Sequence, residues 1–438
     1  MSKEETLFSR CHINTNAPGD RFVGVRVVDG SAEVCFPPGY QCPDNESSLR
    51  MDIIHLLAIL EKLGRGSTAE CRAKVFDSEN TGNMPISAYL EIIQDFLKNN
   101  RYYQERECEF KKRDRGKIDW RRTIHQIHPL FDGEDQPVYL NFIIRKNPLT
   151  ENSIIANIHK FIVFDSFVKF GWLYTSMMPE RSDLTYNASM FSSVIQAKLS
   201  GTYNDEDKKL LSNMLAVINQ HSPSEVKKDF FYGTENFEYV WEQLIDIAFG
   251  VTKTADCFPT TCWHFRTAAD KSGYIPDPDK ENAVLRPDTI MKFDGKIFIL
   301  DAKYYKYGFS TGAGILPSSY DINKQITYGE QIHNVVFANL KEDEDPPVYN
   351  AFVLPYNSSS NRFGRCGNIE IFGEATTSWK EAKKGKVYPY ERVLGVLLDV
   401  RYLLNHFSSQ RCEMQRLIAT EIQNAINSKP CVEVNCGI

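Results

Sequence analysis

Arg286-Pro287-Asp288-Thr289-Ile290-Met291-Lys292-Phe293-Asp294-Gly295-Lys296-Ile297-Phe298-Ile299-Leu300-Asp301-Ala302-Lys303-Tyr304-Tyr305 is the stretch whose reading decides the fold. Asp294-Gly295 between two apolar, β-prone runs signals a two-residue type I′ turn, because both central residues of that turn need positive φ. The turn sets Phe293 against Lys296, and the register then carries Asp288 directly opposite Asp301. Side chains alternate along a strand, so Lys303 projects on the same face as Asp301. Two carboxylates facing each other across a ladder repel, which costs stability unless something neutralises them.

A hard divalent cation meets that need, since Mg²⁺ takes carboxylate, carbonyl and water oxygens. The adjacent lysine is placed to lower the pKa of an attacking water or to steady charge on a phosphate. Pro-Asp followed a hairpin later by Asp-x-Lys resembles the active-site signature of the PD-(D/E)xK nucleases. The plainer alternative is a solvated hairpin with ordinary surface charges, and Asp-x-Lys alone is common. The Pro-Asp start, the register and the turn together favour the nuclease.

With 438 residues, 42% hydrophobic and 25% charged, the chain has the composition of a globular protein of two or three domains. No apolar run approaches a membrane span and the start does not resemble a signal peptide, so the cytoplasm is the expected location. Eleven cysteines in a chain of this size do not suggest a disulfide framework. Cys257, Cys262 and His264 could supply three metal ligands, but no fourth stands nearby at zinc-site spacing. The net charge of −6 argues mildly against non-specific nucleic-acid binding. It hides a local reversal at Lys111, Lys112, Arg113, Arg115, Lys117, Arg121 and Arg122, seven basic residues against Asp114 and Asp119. Such a run can track phosphates, or be a solvated strand and turn with no partner.

Three regions are expected: a β-rich N-terminal module over 1–130 for DNA reading or partner docking, a helical connecting region over 131–228, and a nuclease domain over 229–438. In the first, Phe22–Val28 and Ala32–Phe36 flank a second hairpin candidate, and helices are expected over Leu49–Leu63 and after Pro85. Ile154–Tyr174 and Asp205–Gln220 read as helices, and Tyr390–Asn427 reads as a helical pair broken near Ser408-Ser409.

Phe237, Trp241, Leu244, Ile245 and Ala248 mark one face of a helix just before the hairpin. Glu238 and Glu242 flank it, and a helix packed on the sheet could present Glu242, less readily Glu238, to the metal; two solvated acids are the alternative. After the hairpin, Asp321 or Ser319 would cap a helix that places Gln325 and Tyr328 on adjacent turns. Gln325 could orient a water or a phosphate, or simply be a polar residue on a helix surface.

The blocks Arg115 to Ile124, Gly233 to Glu242, Arg286-Pro287-Asp288, Asp301-Ala302-Lys303-Tyr304-Tyr305 and Lys324-Gln325 with Tyr328, in this order, resemble the LlaJI-type restriction endonucleases, relatives of the McrC nuclease subunit. The resemblance implies an α/β fold with a PD-(D/E)xK nuclease core, a mixed sheet flanked by helices. It implies a Mg²⁺-dependent endonuclease cutting double-stranded DNA, with Asp288, Asp301 and Glu242 around the metal, Lys303 acting on the attacking water and Gln325 in support. It also implies a cognate DNA methyltransferase and, in many systems, an AAA+ GTPase partner subunit, and it admits a homodimer. The chain has no Gly-x₄-Gly-Lys-Ser/Thr phosphate loop, so such a motor would be another polypeptide. A subunit silent without its motor is one rival to the autonomous nuclease, and a non-catalytic DNA-binding or assembly protein is another.

Overall fold

The computed structural model describes residues 6–28, 31–66, 84–106, 109–131, 134, 136–146, 149–150, 153–220, 230–254, 257–262, 282–308, 316–338, 347–377 and 387–428. His264 lies outside them. The described protein is mixed α/β, and its contacts divide it into two units. One comprises residues 1–26, 31–83 and 231–438; the other comprises 27–30 and 84–230. This division runs differently from the expected boundaries at 130 and 228, since the N-terminal strands and first helix group with the C-terminal part.

The first unit opens with β1 (Cys11–Ile13), β2 (Val23–Val28) and β3 (Ser31–Phe36), followed by helix α1 (Glu46–Gly66). Leu49, Ile53, Leu56, Leu57 and Leu60 are fully buried, the i, i+3, i+4 stripe that makes a helix core-facing. Asp52 on the same helix is 2% exposed yet fully partnered. It accepts from Tyr40 Oη at 2.6 Å, Arg401 Nε at 2.7 Å and Asn405 Nδ2 at 2.9 Å.

The second unit is built from α2 (Ile86–Asn99), the antiparallel pair β4 (Glu109–Arg113) and β5 (Phe142–Lys146), the short α3 (Trp120–Gln126), and α4 (Ile154–Phe170), α5 (Ala188–Ser200) and α6 (Asp205–Gln220). Ser153 caps α4, accepting from the Ala156 N–H at 3.3 Å. His159 on α4 is a packed core histidine, accepting from the Tyr103 N–H at 2.9 Å; burial pushes its pKa down to about 4.

The first unit resumes with β6 (Phe230–Thr234), which joins the N-terminal sheet in the order β1-β3-β2-β6, and α7 (Phe237–Phe249). Then come the hairpin strands β7 (Thr289–Phe293) and β8 (Lys296–Ala302), α8 (Ser319–Val336), β9 (Val348–Tyr356), β10 (Ile369–Ala375), β11 (Val393–Asp399), α9 (Val400–His406) and α10 (Arg411–Asn427). Five strands form one mixed sheet in the order β7-β8-β9-β11-β10. β8, β9 and β11 run parallel, and β7 and β10 close the edges antiparallel.

Two expectations meet this sheet differently. Asp294 and Gly295 have φ of 49° and 71°, and Phe293 pairs with Lys296, as a type I′ turn requires. The helical pair over Tyr390–Asn427 is corrected: after a short 3-10 turn at Pro389–Glu391 the segment forms β11, whose seven residues are all buried, and only then the two helices. A strand covered on both faces loses its polar–apolar alternation, so its apolar run reads equally as helix. The break before α10 falls between His406 and Arg411, spanning the expected Ser408-Ser409. No helix among the described residues is long and apolar enough to cross a membrane.

Candidate active site

The hairpin register brings the two aspartates together. The ladder runs from Phe293–Lys296 to Thr289–Leu300, and Asp288 lies one residue beyond its end. There the Ala302 N–H donates to Asp288 Oδ2 at 3.3 Å, and the Asp288 carboxyl lies within reach of the Asp301 charge. Asp301 is 4% exposed. Lys303 Nζ lies 2.6 Å from Asp301 Oδ2 and 3.1 Å from Asp321 Oδ1.

The segment before β7 is fixed from several sides. Tyr328 donates its hydroxyl to the Arg286 carbonyl at 2.8 Å, and Lys253 donates to the Asp288 carbonyl while pairing with Asp246 Oδ1 at 3.3 Å. Asp246 belongs to α7, so this lysine ties the helix that carries Glu242 to the strand entry that carries Asp288. Trp241 Nε1 donates to the Val353 carbonyl at 3.3 Å, anchoring α7 to the sheet through β9. The expected apolar face of α7 is buried in full: Phe237, Trp241, Leu244, Ile245 and Ala248 are at most 2% exposed.

The charges are strongly coupled. Burial, the Asp301 charge and the Glu242 charge push the Asp288 carboxyl up to about 7, against the pull of Lys303. Burial works against the Lys303 charge, but Asp301 and Asp321 outweigh it and hold the ammonium above the ordinary lysine range. Burial likewise works against the Asp321 charge, but hydrogen bonds from Ser318 and Lys303 hold that carboxyl below its ordinary value. Burial and the two aspartates raise the Tyr328 phenol.

Some expected residues take other places. Among the described residues, no three His, Cys, Asp or Glu side chains are grouped to share a cation. The carboxylates brought together are thus the Asp288–Asp301 pair, on which Glu242 acts through its charge. Glu238 is exposed and acts on the buried Tyr304 hydroxyl instead. Gln325 is 1% exposed and spends its amide on the sheet, donating to the Ile299 carbonyl at 3.0 Å and the Ala351 carbonyl at 3.4 Å. Ser318, rather than Ser319 or Asp321, is the N-cap of α8, with Asp321 completing a capping box at N3. Asp321, Lys253 and Asp246 join the cluster without having been expected there. Only Asp321 carries a local signal, the Ser-x-x-Asp pattern at a helix start.

The basic run occupies β4, the following turn and α3 of the second unit, and all seven of its basic side chains are exposed. Arg122 stacks its guanidinium 3.6 Å over the Phe110 ring, with Nε 3.8 Å from Asp119 Oδ2. Gly116 turns the chain at φ 139°, where a Cβ would meet Ile144 Cγ2 at 2.5 Å.

The fold and this cluster define a mixed α/β protein with a paired-carboxylate and lysine site at a hairpin end. The chain belongs to the LlaJI restriction endonuclease family, whose family model matches residues 22–373. It is 28% identical over 288 residues to the type II restriction enzyme BsuMI component YdjA of Bacillus subtilis (strain 168), covering 62% of this chain and 58% of that protein. The chain thus spans less than two thirds of that relative's length. Among solved structures, McrC bound to McrB AAA+ hexamers of Thermococcus gammatolerans aligns with a TM-score of 0.30 at 12% identity, over 92% of this chain and 83% of that one. The Thermococcus gammatolerans McrBC complex aligns with a TM-score of 0.15 at 13% identity, over 54% of each chain.

Proposed function

We propose that this chain is the nuclease of a restriction–modification system, hydrolysing phosphodiester bonds of double-stranded DNA through a PD-(D/E)xK core. The observation that carries the reading is the convergence of Asp288, Asp301 and Lys303 at the open end of one hairpin. Mg²⁺ fits this donor set, because it binds through one or two protein carboxylates and completes its shell with water and phosphate oxygens. The carboxyl pair also calls for positive charge, since burial and its neighbours push Asp288 up to about 7.

Asp288 and Asp301 would hold the metal, and Glu242 would add negative potential behind Asp288. Bound Mg²⁺ would supply a more acidic water and neutralise charge on the phosphate. Lys303 stays protonated and offers its ammonium to the charge that develops on the phosphate in the transition state. Gln325 and Tyr328 support the site by holding α8 and the Arg286–Asp288 turn in register with the sheet. The exposed basic run on the second unit would grip the DNA backbone. A methyltransferase that protects the host sites is the expected companion.

A second reading makes the chain a subunit that cuts only with an NTP-driven AAA+ partner. It is favoured by the word "component" in the name of the Bacillus relative. The test is incubation of purified chain with unmethylated bacteriophage DNA, with and without Mg²⁺, beside Asp301→Ala. Discrete Mg²⁺-dependent fragments that disappear in the variant are expected of an autonomous nuclease; cutting that appears only on adding an AAA+ partner and GTP establishes the second reading. Equal cutting by Asp301→Ala rules out the assigned site.

A further inference from the structure

The Asp321 carboxylate faces two ways. Its Oδ2 accepts from the Ser318 N–H at 2.9 Å and the Ser318 hydroxyl at 2.7 Å, closing the capping box of α8. Its Oδ1 lies 3.1 Å from Lys303 Nζ, the ammonium that on its other side sits 2.6 Å from Asp301 Oδ2. Capping engages one carboxylate oxygen only, so nothing in the helix start requires the other to point at a lysine. All three side chains are sheltered, with 5% of Asp301, 16% of Lys303 and 20% of Asp321 exposed.

We propose that Asp321 is a positioning residue for Lys303, the fixed anchor that keeps the ammonium at the edge of the site when a divalent cation occupies the Asp288–Asp301 pair. The inference rests on reading that pair as the metal site. An ammonium 2.6 Å from Asp301 Oδ2 competes with a cation for the same oxygen, and two cations on one carboxylate repel strongly where water is scarce. Lysine can yield, because its ammonium rides on a flexible four-carbon stem. Without a second acceptor the displaced charge would swing into solvent, away from the phosphate.

Asp321 can hold it because Asp321 itself cannot follow. The capping box fixes its carboxylate, and α8 is pinned to the rest of the site by Tyr328 on the Arg286 carbonyl at 2.8 Å and Gln325 on the Ile299 carbonyl at 3.0 Å. A pair of acids set 2.6 and 3.1 Å from one ammonium gives it two resting places, one shared with the cation and one independent of it.

The experiment is calorimetric titration of the full chain with Mg²⁺ for wild type, Asp321→Asn, Lys303→Met and the double variant. Asparagine keeps the size of Asp321 and can still accept from Ser318, so the helix start survives. With Lys303 present, Asp321→Asn is expected to weaken Mg²⁺ binding roughly fivefold, because the ammonium is left only Asp301 to pair with. In the Lys303→Met background the same change is expected to shift the affinity by less than about twofold, since no ammonium remains to be drawn aside. An equal weakening in both backgrounds would make Asp321 a bare negative charge and overturn the proposal, as would no weakening in either. A wild-type chain that takes up no Mg²⁺ overturns the metal reading itself, and the inference with it.

Discussion

The Ala302 backbone N–H points at the Asp288 carboxylate across 3.3 Å, one residue past the last rung of the β7–β8 ladder. The strand pairing therefore ends on a side chain rather than a carbonyl. This leaves Asp288 beside Asp301, and burial together with the neighbouring Asp301 charge favours keeping a proton on Asp288. The hairpin is built to bring together two groups that repel when both are charged, and several features of behaviour follow from that.

Without metal, the Asp288 carboxyl titrates near 7 in the folded chain, against about 3.9 in an unfolded one. Between those values the folded chain keeps a proton that the unfolded chain has released, so stability falls as pH rises through the window and levels off above it. Asp288→Asn should therefore stabilise the metal-free protein at pH 8 by about 1–2 kcal/mol while changing it little near pH 4. Scanning calorimetry at the two pH values measures this. An asparagine variant that melts below wild type at pH 8 contradicts the assigned electrostatics.

The same proton has to leave before a cation can use both carboxylates. Below pH 7, Mg²⁺ uptake should release close to one proton, and apparent affinity should rise by up to about tenfold per pH unit before flattening. Titrations at pH 6 in buffers of different ionisation enthalpy count the proton directly. Uptake with no proton release at that pH would mean Asp288 is not a ligand.

Lys303 forms an ion pair with Asp301, which is almost fully buried. Lys303→Met should cost the metal-free fold roughly 2–3 kcal/mol, because removing one partner strands a buried charge. It should also lower cleavage by roughly a hundredfold or more, the order seen when a group that stabilises transition-state charge is removed. Saturating Mg²⁺ should recover much of the stability and none of the rate. Recovery of rate by the metal alone would show that the lysine serves only to balance charge.

How much of the fold and site is legible in the sequence depends on range. The hairpin register can be read because the Asp294-Gly295 turn and the apolar runs beside it are local, and the buried stripe of α7 shows in its periodicity. The β11 strand does not show, since burial on both faces erases the alternation that marks a strand. Gln325 stands out between the hairpin and the next strand, but a buried amide that bonds two strand carbonyls looks in sequence like one that orients water. Asp52 of α1 meets Arg401 across 349 residues, and no local pattern announces such a pair.

That long-range pair carries its own expectation. Asp52 accepts three hydrogen bonds at 2% exposure, and Arg401 sits on α9, directly after the buried strand β11. Asp52→Ala should cost about 3 kcal/mol by leaving the guanidinium and the Tyr40 hydroxyl without their acceptor. Because α1 and the sheet belong to one unit, the destabilisation should appear as one lowered transition, not as early melting of an N-terminal piece. Denaturant unfolding followed by tryptophan fluorescence and by circular dichroism tests this; two separated transitions would mean the N-terminal segment folds apart.

The basic run makes a prediction that separates gripping DNA from merely being charged. Arg113, Arg115 and Lys117 are exposed around the Gly116 turn, whereas Arg122 is engaged with the Phe110 ring and Asp119. If the turn tracks phosphates, changing all three to alanine should weaken binding to any duplex. It should also flatten the dependence of log K on log salt by roughly 2–3 units, about 0.9 for each phosphate no longer neutralised. Arg122→Ala should alter the slope less and stability more, since its side chain packs strand against helix. Fluorescence anisotropy across a salt series, with Mg²⁺ withheld so that the DNA stays whole, measures affinity and slope together. A triple variant with the parental slope would mean that the exposed charges face solvent and that the chain holds DNA elsewhere.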